Sequence, residues 1–274
     1  MLPLALVASA AEPQAVLTLL EGEATLVSGA RAYAAAPGAR LGPGTLVETD
    51  ANASLLRLEW PDGSLLDLGP STRVMLRPPS EKPTLQGRPL FYLLQGWAKQ
   101  TQGAAVSGHL SPAFDVPSFK GVLVSQIDGS GAVLFSELGG EQVSGRRSAA
   151  LLPLRAGQAA VSGSDGSVKI LLRPPEGWLA RIPRAFRDTL PPQAARFKGP
   201  PPALEPRAAL SYAALQHWLV AEPELRHDFP TRFAALLSDR AFRAAVTKQL
   251  SQHPEWEVVL YPPRPASAAH KSNP

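Results

Sequence analysis

SLLRLEWPDGSLLDLGPSTRV, residues 54–74, decides the fold class. Leu56, Leu58 and Trp60 alternate with Arg57 and Glu59. After Asp62-Gly63-Ser64 the alternation resumes, with Leu66 and Leu68 on one face and Asp67 on the other. A period of two is what a half-buried strand imposes, because successive side chains point to opposite faces of a sheet. Asp-Gly between two such runs predicts a hairpin, in the type I′ form that needs φ > 0 at both central residues. Asp-Gly-Ser returns at Asp128 to Ser130 and at Asp165 to Ser167, which extends the turn reading to two further places. A calcium loop would need oxygen ligands at alternate positions and a closing acidic residue. After Asp62, only Asp67 is acidic among the following positions up to Val74.

The same texture spreads outward. From Val16 to about Leu172, short apolar or alternating runs bounded by Gly, Pro, Asn, Asp or Ser predict a mainly β domain over 12–172. The composition agrees: 29 Pro and 22 Gly in 274 residues favour short strands and turns over long helices, and 45% hydrophobic content is enough for a sizeable core. Residues 173–205 change character. Proline removes backbone donors and fixes φ, so this stretch is neither sheet interior nor long helix. Its apolar residues Trp178, Ile182, Phe186, Leu190 and Phe197 predict an ordered connector packed along a neighbouring domain.

From 206 to 261 the period becomes helical, and a small all-α unit of three helices is expected. Pro206 suits the first turn of the first, Asp228 the N-cap of the second, and Ser238 or Asp239 the N-cap of the third, which stops by Pro254. Residues 262–274 have no apolar period and read as a disordered tail. At the other end, the apolar run Leu2 to Val7 followed by Ala8-Ser9-Ala10-Ala11 has the pattern of a signal peptide over 1–11, cleaved after Ala10 or Ala11, although no Lys or Arg precedes it. Export to the periplasm of a Gram-negative bacterium is the expectation, with no transmembrane segment to follow.

The chemical inventory is thin. There is no cysteine, which excludes disulfides, thiolate metal sites and cysteine nucleophiles. A net charge of +4 comes without any run of five Lys or Arg and without an aromatic-and-basic stripe, so nucleic acid is not an expected partner. No two of His109, His217, His227, His253 and His270 stand at helical metal-ligand spacing, and each reads as a surface or cap residue, His253 facing helix-terminal carbonyls. No Gly-x-Ser-x-Gly turn and no phosphate loop occurs. No catalytic, cofactor-binding or metal-binding residue is expected, and the chain reads as non-enzymatic.

EGEATLVSG, followed by GARLGPGTLVETDANASLLRLEWPDGSLLDLGPSTRVML, resembles the FecR domain of bacterial envelope proteins. Thr49 stands at that family's threonine, Asp62, Gly63 and Ser64 at its turn, and Leu68, Gly69 and Ser71 at its closing corner. LLQGWAKQT, AFDVPSFKGVLV and LRAGQAAVSGSDGSV are similar to later segments. The sequence departs from the family where Gly121 is followed by Val122 instead of Thr. The resemblance implies a solenoid-like stack of short strands, and an interaction or regulatory and signalling module without catalytic residues. The anti-sigma and membrane-spanning segments of the best-known members have no counterpart in the sequence given, so that direct role does not carry over.

The partner is then expected to be an envelope protein or a glycan. The alternative is a structural envelope protein that grips peptidoglycan or polysaccharide through exposed aromatics such as Trp97 and Trp178. Arg184, Arg187 and Asp188 form a charged cluster that could belong to the same surface. Arg232, Arg240, Arg243 and Lys248 offer a second basic face, read more simply as solvated.

Overall fold

The computed structural model describes residues 14–79, 89–129, 131–146, 148, 150–163 and 165–262. The expected signal peptide and nearly all of the expected tail lie outside the described residues. The chain divides into two compact units, Met1–Ala208 and Ala209–Pro274.

The first unit is mainly β. Its strands are β1 Ala15–Glu21, β2 Ala24–Ser28, β3 Arg31–Ala34, β4 Arg40–Leu41, β5 Leu46–Thr49, β6 Leu55–Glu59, β7 Leu65–Leu68 and β8 Arg73–Leu76. They continue as β9 Phe91–Thr101, β10 His109–Leu110, β11 Phe114–Val116, β12 Phe119–Asp128, β13 Gly131–Gly145, β14 Leu152–Arg155, β15 Ala159–Ser162 and β16 Val168–Leu171. One sheet runs β4-β1-β6-β7-β9-β12-β13-β15-β16, with β14 also on β13. A second runs β3-β2-β5-β8-β9-β10-β11-β13. Every named pair is antiparallel except β9 with β10. This ladder does not show the solenoid-like stack that the family resemblance implied.

Two long strands make the sheets one body. β9 pairs through Phe91 to Gln95 with β8, and through Ala98 to Thr101 with β7, so it leaves one sheet and enters the other. β13 does the same between β12 and β11. The β12–β13 ladder shifts register between Val122 and Leu123, and next to that shift Gly121 and Gly139 are direct cross-strand partners with φ of 114° and 97°. A Cβ on Gly139 would overlap the Lys120 carbonyl oxygen, so neither position has room for a side chain. Between the sheets lies one core that draws Leu17, Leu56, Leu58, Leu66 and Leu68 from one sheet and Leu26, Val47, Val74 and Phe91 from the other.

The opposite face of the first sheet departs from the half-buried strand the alternation predicted. Arg57, Glu59 and Asp67 are all buried, at 3%, 2% and 4% exposure. The reason is the Pro-rich stretch 173–207, which is strapped across that face. Arg57 pairs with Asp67 through two bonds, Nε to Oδ1 at 2.6 Å and a second nitrogen to Oδ2 at 2.8 Å, and donates a third to the Leu190 carbonyl at 2.8 Å. The Glu59 carboxylate accepts the backbone N–H groups of Gln193 and Ala194, at 2.9 and 2.8 Å, and the Thr18 hydroxyl at 2.8 Å. Lys99 Nζ donates to the Phe186 carbonyl at 2.7 Å. Beneath these bonds Leu55 and Val124 of the sheet pack with Trp178 and Phe186 of the strap in a second, smaller core. The strap ends extended, where Pro206 bridges Tyr33 of β3 and Arg207 N donates to the Ala32 carbonyl.

In the second unit three helices were expected, and the structure breaks them into shorter pieces. α2 Tyr212–Leu219 and α5 Arg240–Lys248 have more than two turns each. One-turn helices α3 Pro223–Arg226, α4 Phe229–Arg232 and α6 Glu257–Leu260, with 3-10 turns at Ala234–Ser238, Leu250–Gln252 and Pro254–Trp256, complete the unit, and α1 Trp178–Arg181 belongs to the strap. Pro206 does not start the first helix, since it is held in the extended bridge to Tyr33; Ser211 caps instead, its hydroxyl accepting Ala214 N. Asp239 caps α5 as expected, accepting Phe242 N at 2.9 Å, whereas Asp228 is already in helical conformation and its side chain caps nothing. Arg226, not His253, meets the terminal carbonyls: it donates to Leu219 O and Gln252 O and pairs with Glu255 at 2.7 Å. His253 is a buried residue whose Nε2 faces the Tyr212 hydroxyl at 3.1 Å. Of the basic face, Arg232 lies over the Phe229 and Phe233 rings and Arg243 donates to the Leu260 carbonyl, while Arg240 and Lys248 are exposed.

Removing one member of a buried pair strands the other charge in a site without water. Arg57→Met is expected to cost about 3–5 kcal/mol in urea unfolding. Arg57→Met with Asp67→Leu should recover much of that loss, and proteolysis of the Leu190 region should then rise because its carbonyl has lost a donor.

Candidate recognition cleft

The residues that carried the family resemblance are architectural. Thr49 on β5 is buried; its hydroxyl donates to the Gly69 carbonyl at 2.6 Å and accepts Thr72 N at 2.9 Å, which pins the corner after β7. The turn of residues 60–64 is not type I′. Gly63 N donates to Trp60 O and Trp60 N to Ser64 O, and of the loop residues only Gly63 has positive φ, at 85°. This is a three-residue loop: Pro61 fits the second position of a type I turn, where its fixed φ is an advantage, and Gly63 takes the left-handed position that follows. Asp62 braces it, its two oxygens accepting Ser64 N at 3.1 Å and Ser64 Oγ at 2.8 Å.

The stretch 163–167 repeats this arrangement: Gly166 N donates to Gly163 O, Gly163 N to Ser167 O, and Asp165 accepts both Ser167 groups. At the remaining triplet Asp128 is paired with Gly131 across the ladder, so it does not take the loop position that Asp62 takes.

The aromatic and charged residues singled out for an interaction surface divide. Trp178 is 1% exposed, and its indole N–H donates to Gln126 Oε1 at 2.6 Å. It lies against Trp97, which is half-buried, at 5.4 Å between centroids. The pair joins strap to sheet and is no open platform for a sugar. Arg184, Arg187 and Asp188 are exposed on the strap, and Arg187 turns back to the Leu179 and Ala180 carbonyls at the end of α1.

His109 also departs from expectation. It is buried at 1% exposure, stacked on Phe91 at 4.8 Å, with Nδ1 at 3.0 Å from Gln100 Oε1 and Nε2 at 3.2 Å from Ser125 Oγ. Burial alone pushes its pKa down to about 3, so it stays neutral. Among the described residues no three His, Asp or Glu side chains converge as a metal site.

One surface cleft was not anticipated from the sequence. Around Gly140, residues of β12, β13 and β14 line an open cleft of about 530 Å³. Phe119, Pro117 and Leu154 line it as buried residues, and Val106 and Leu151 flank it at 56% and 39% exposure. Glu141 also lines it. It is 7% exposed, its Oε2 accepts the Ser136 hydroxyl at 3.2 Å, and its Oε1 has no partner. Desolvation pushes its pKa up to about 7, against the smaller opposing effect of the Ser136 bond. One signal was present: Glu141 is in phase with buried Val143, so the period-two rule places it inward once β13 is carried through Gly139-Gly140.

No known protein family matches the sequence, and no curated protein does either. The structure is similar to two solved structures of a candidate anti-sigma factor from Parabacteroides distasonis ATCC 8503. They show 13% and 12% sequence identity and TM-scores of 0.39 and 0.38, each over 49% of this chain. The chain spans 62% and 63% of those proteins' lengths. At TM-scores this low they do not establish a common fold.

The two shifted groups act on stability in opposite senses. Glu141 contributes stability in full below 4.5, and loses it as pH rises to about 7, because its folded form favours the proton. His109 contributes in full above 6.5 and loses as pH falls toward about 3, because its folded form rejects the proton. Glu141→Gln should therefore melt close to wild type at pH 4.5 and several degrees higher at pH 8. Equal melting temperatures at both pH values would show that the carboxylate is not held neutral.

Proposed function

We propose that this chain is a non-enzymatic recognition module of the bacterial envelope, of the FecR type, with a regulatory role exercised by binding. The observation that carries this reading is the cleft. It combines buried apolar lining residues with exposed apolar flanks at Val106 and Leu151, surface that a partner's apolar groups can cover. The polar groups of the strap-covered sheet face, by contrast, are engaged internally: Arg57, Asp67 and Glu59 all hold one another or the strap. The FecR-like residues Thr49, Asp62, Gly63, Ser64 and Gly69 support the same reading, since they shape corners of a scaffold. The leader-like sequence at 1–11 supports export to the periplasm.

Osmotic-shock fractionation tests the location: a periplasmic chain beginning at Ala11 or Glu12 is expected, and an uncleaved chain confined to the cytoplasm would overturn it. A photoreactive residue at position 151 should crosslink one defined product in cells, while the same group at exposed Lys169 should not. Identical products at both positions would remove the cleft from the proposal.

A further inference from the structure

We propose that the outer face of the first sheet, with the strap that crosses it, docks on an anionic phospholipid surface, its cations against headgroups and Leu138 and Leu179 at the acyl boundary. This goes beyond the recognition cleft and does not depend on it.

The register fixes which side chains share the face. Lys99, Val124 and Phe135 are cross-strand neighbours on β9, β12 and β13. The strap lies over them: Lys99 donates to the Phe186 carbonyl, Val124 packs with Trp178 and Phe186, and the Phe135 ring meets Trp178 edge-on at 5.8 Å. Residues two apart on a strand point to the same side, so the next row on this face is Thr101, Val122 and Leu138, reached across the register shift. The row after that is Lys120, Gly140 and Arg155. Leu138 is 61% exposed. Lys120 and Arg155 are exposed on either side of Gly140, which puts no side chain between them.

The strap continues the same surface. Pro183 and Phe186 lie against Gly69 of the sheet. Arg184 and Arg187 are exposed and stand three apart on the 3-10 turn Arg184–Arg187, a spacing at which side chains eclipse into one row. Leu179 stands beside them at 50% exposure, because Arg187 Nη2 donates to its carbonyl at 3.3 Å. From Arg173 to Lys198 the strap exposes six cations against two acids, Glu176 and Asp188. At the register shift Glu137 is engaged by Lys99 Nζ at 2.8 Å.

Cations spread over strands and strap make a field and not a pocket. The two leucines among them would stay wet against a polyanionic glycan. A bilayer interface meets both features, with anionic headgroups for the cations and an apolar layer just beneath for the leucines.

Co-sedimentation of the full chain with vesicles tests this. Pelleting with phosphatidylglycerol vesicles and not with phosphatidylcholine is expected, with release as salt rises toward about 1 M, where the Debye length is about 3 Å. Lys120→Glu with Arg155→Glu should weaken binding by roughly tenfold or more. Arg184→Glu and Leu138→Gln should each weaken it severalfold. Arg240→Glu with Lys248→Glu makes the same change of charge at exposed positions of the second unit and should leave binding unchanged. All these positions are exposed, and an unchanged melting temperature verifies that each variant is folded. No pelleting with phosphatidylglycerol, equal pelleting with phosphatidylcholine, or equal losses from the two charge-reversal pairs would overturn the proposal. Leu138→Gln binding like wild type, together with full displacement by dextran sulfate, would overturn it too, since the face would then read charge alone, as a glycan-binding surface does. A defined crosslink from position 151 can stand while vesicle binding falls, and the reverse.

Discussion

The β unit depends on one buried ionic contact and what it holds. Arg57 and Asp67 are directly opposed on β6 and β7, and the guanidinium uses its remaining edge on the Leu190 carbonyl. Two charges on a sheet face are stable in water and costly out of it. Here the cost is met by full hydrogen bonding and by a strap that excludes water, so sheet and strap stabilise each other. Leu55 and Val124 would otherwise be left as an open apolar patch on the sheet. Glu59 adds the complementary device, a carboxylate set against backbone N–H groups of the strap. A segment with 2% to 4% exposed ionic anchors behind it is part of the domain and not a tether between domains.

The second constraint is the shared strands. Because β9 and β13 each serve both sheets, one main core lies between the two sheets of the first unit. Beyond Val122 the β9–β12 ladder stops, and Phe119 to Gly121 keep β13 as their ladder partner. The cleft lies at this end of the ladder.

Much of the β unit was legible because its signals are local. Alternation at 56, 58 and 60, the turn residues at 62–64 and the cap at Asp239 act over a few residues, and each was read from its own neighbours. The misreadings share a cause. Arg57, Glu59 and Asp67 looked solvated because the face opposite an apolar stripe normally meets water, and nothing near residue 57 announces a strap some 130 positions later. His109 and Trp178 were weighed by type, which favours the surface for one and left open a ligand platform for the other. Both are buried by partners distant in sequence, Phe91 and Gln126 among them. The turn type at 60–64 was misjudged because Asp-Gly was weighed without Pro61, whose fixed φ excludes a positive value at that place.

The sequence by itself determined the class of each segment: short strands to Leu172, a proline-rich ordered stretch, then helices, with Asp62 and Gly63 as a turn and not a ligand loop. Period, proline and glycine act on the backbone locally, so they can be read in order. Only the tertiary structure decided which face of each strand is dry, that the proline-rich stretch closes over a sheet of its own domain, and that Glu141 keeps an unpaired oxygen beside an apolar cleft. Those outcomes depend on which distant atoms exclude water from a given side chain, and desolvation is a property of the assembled fold.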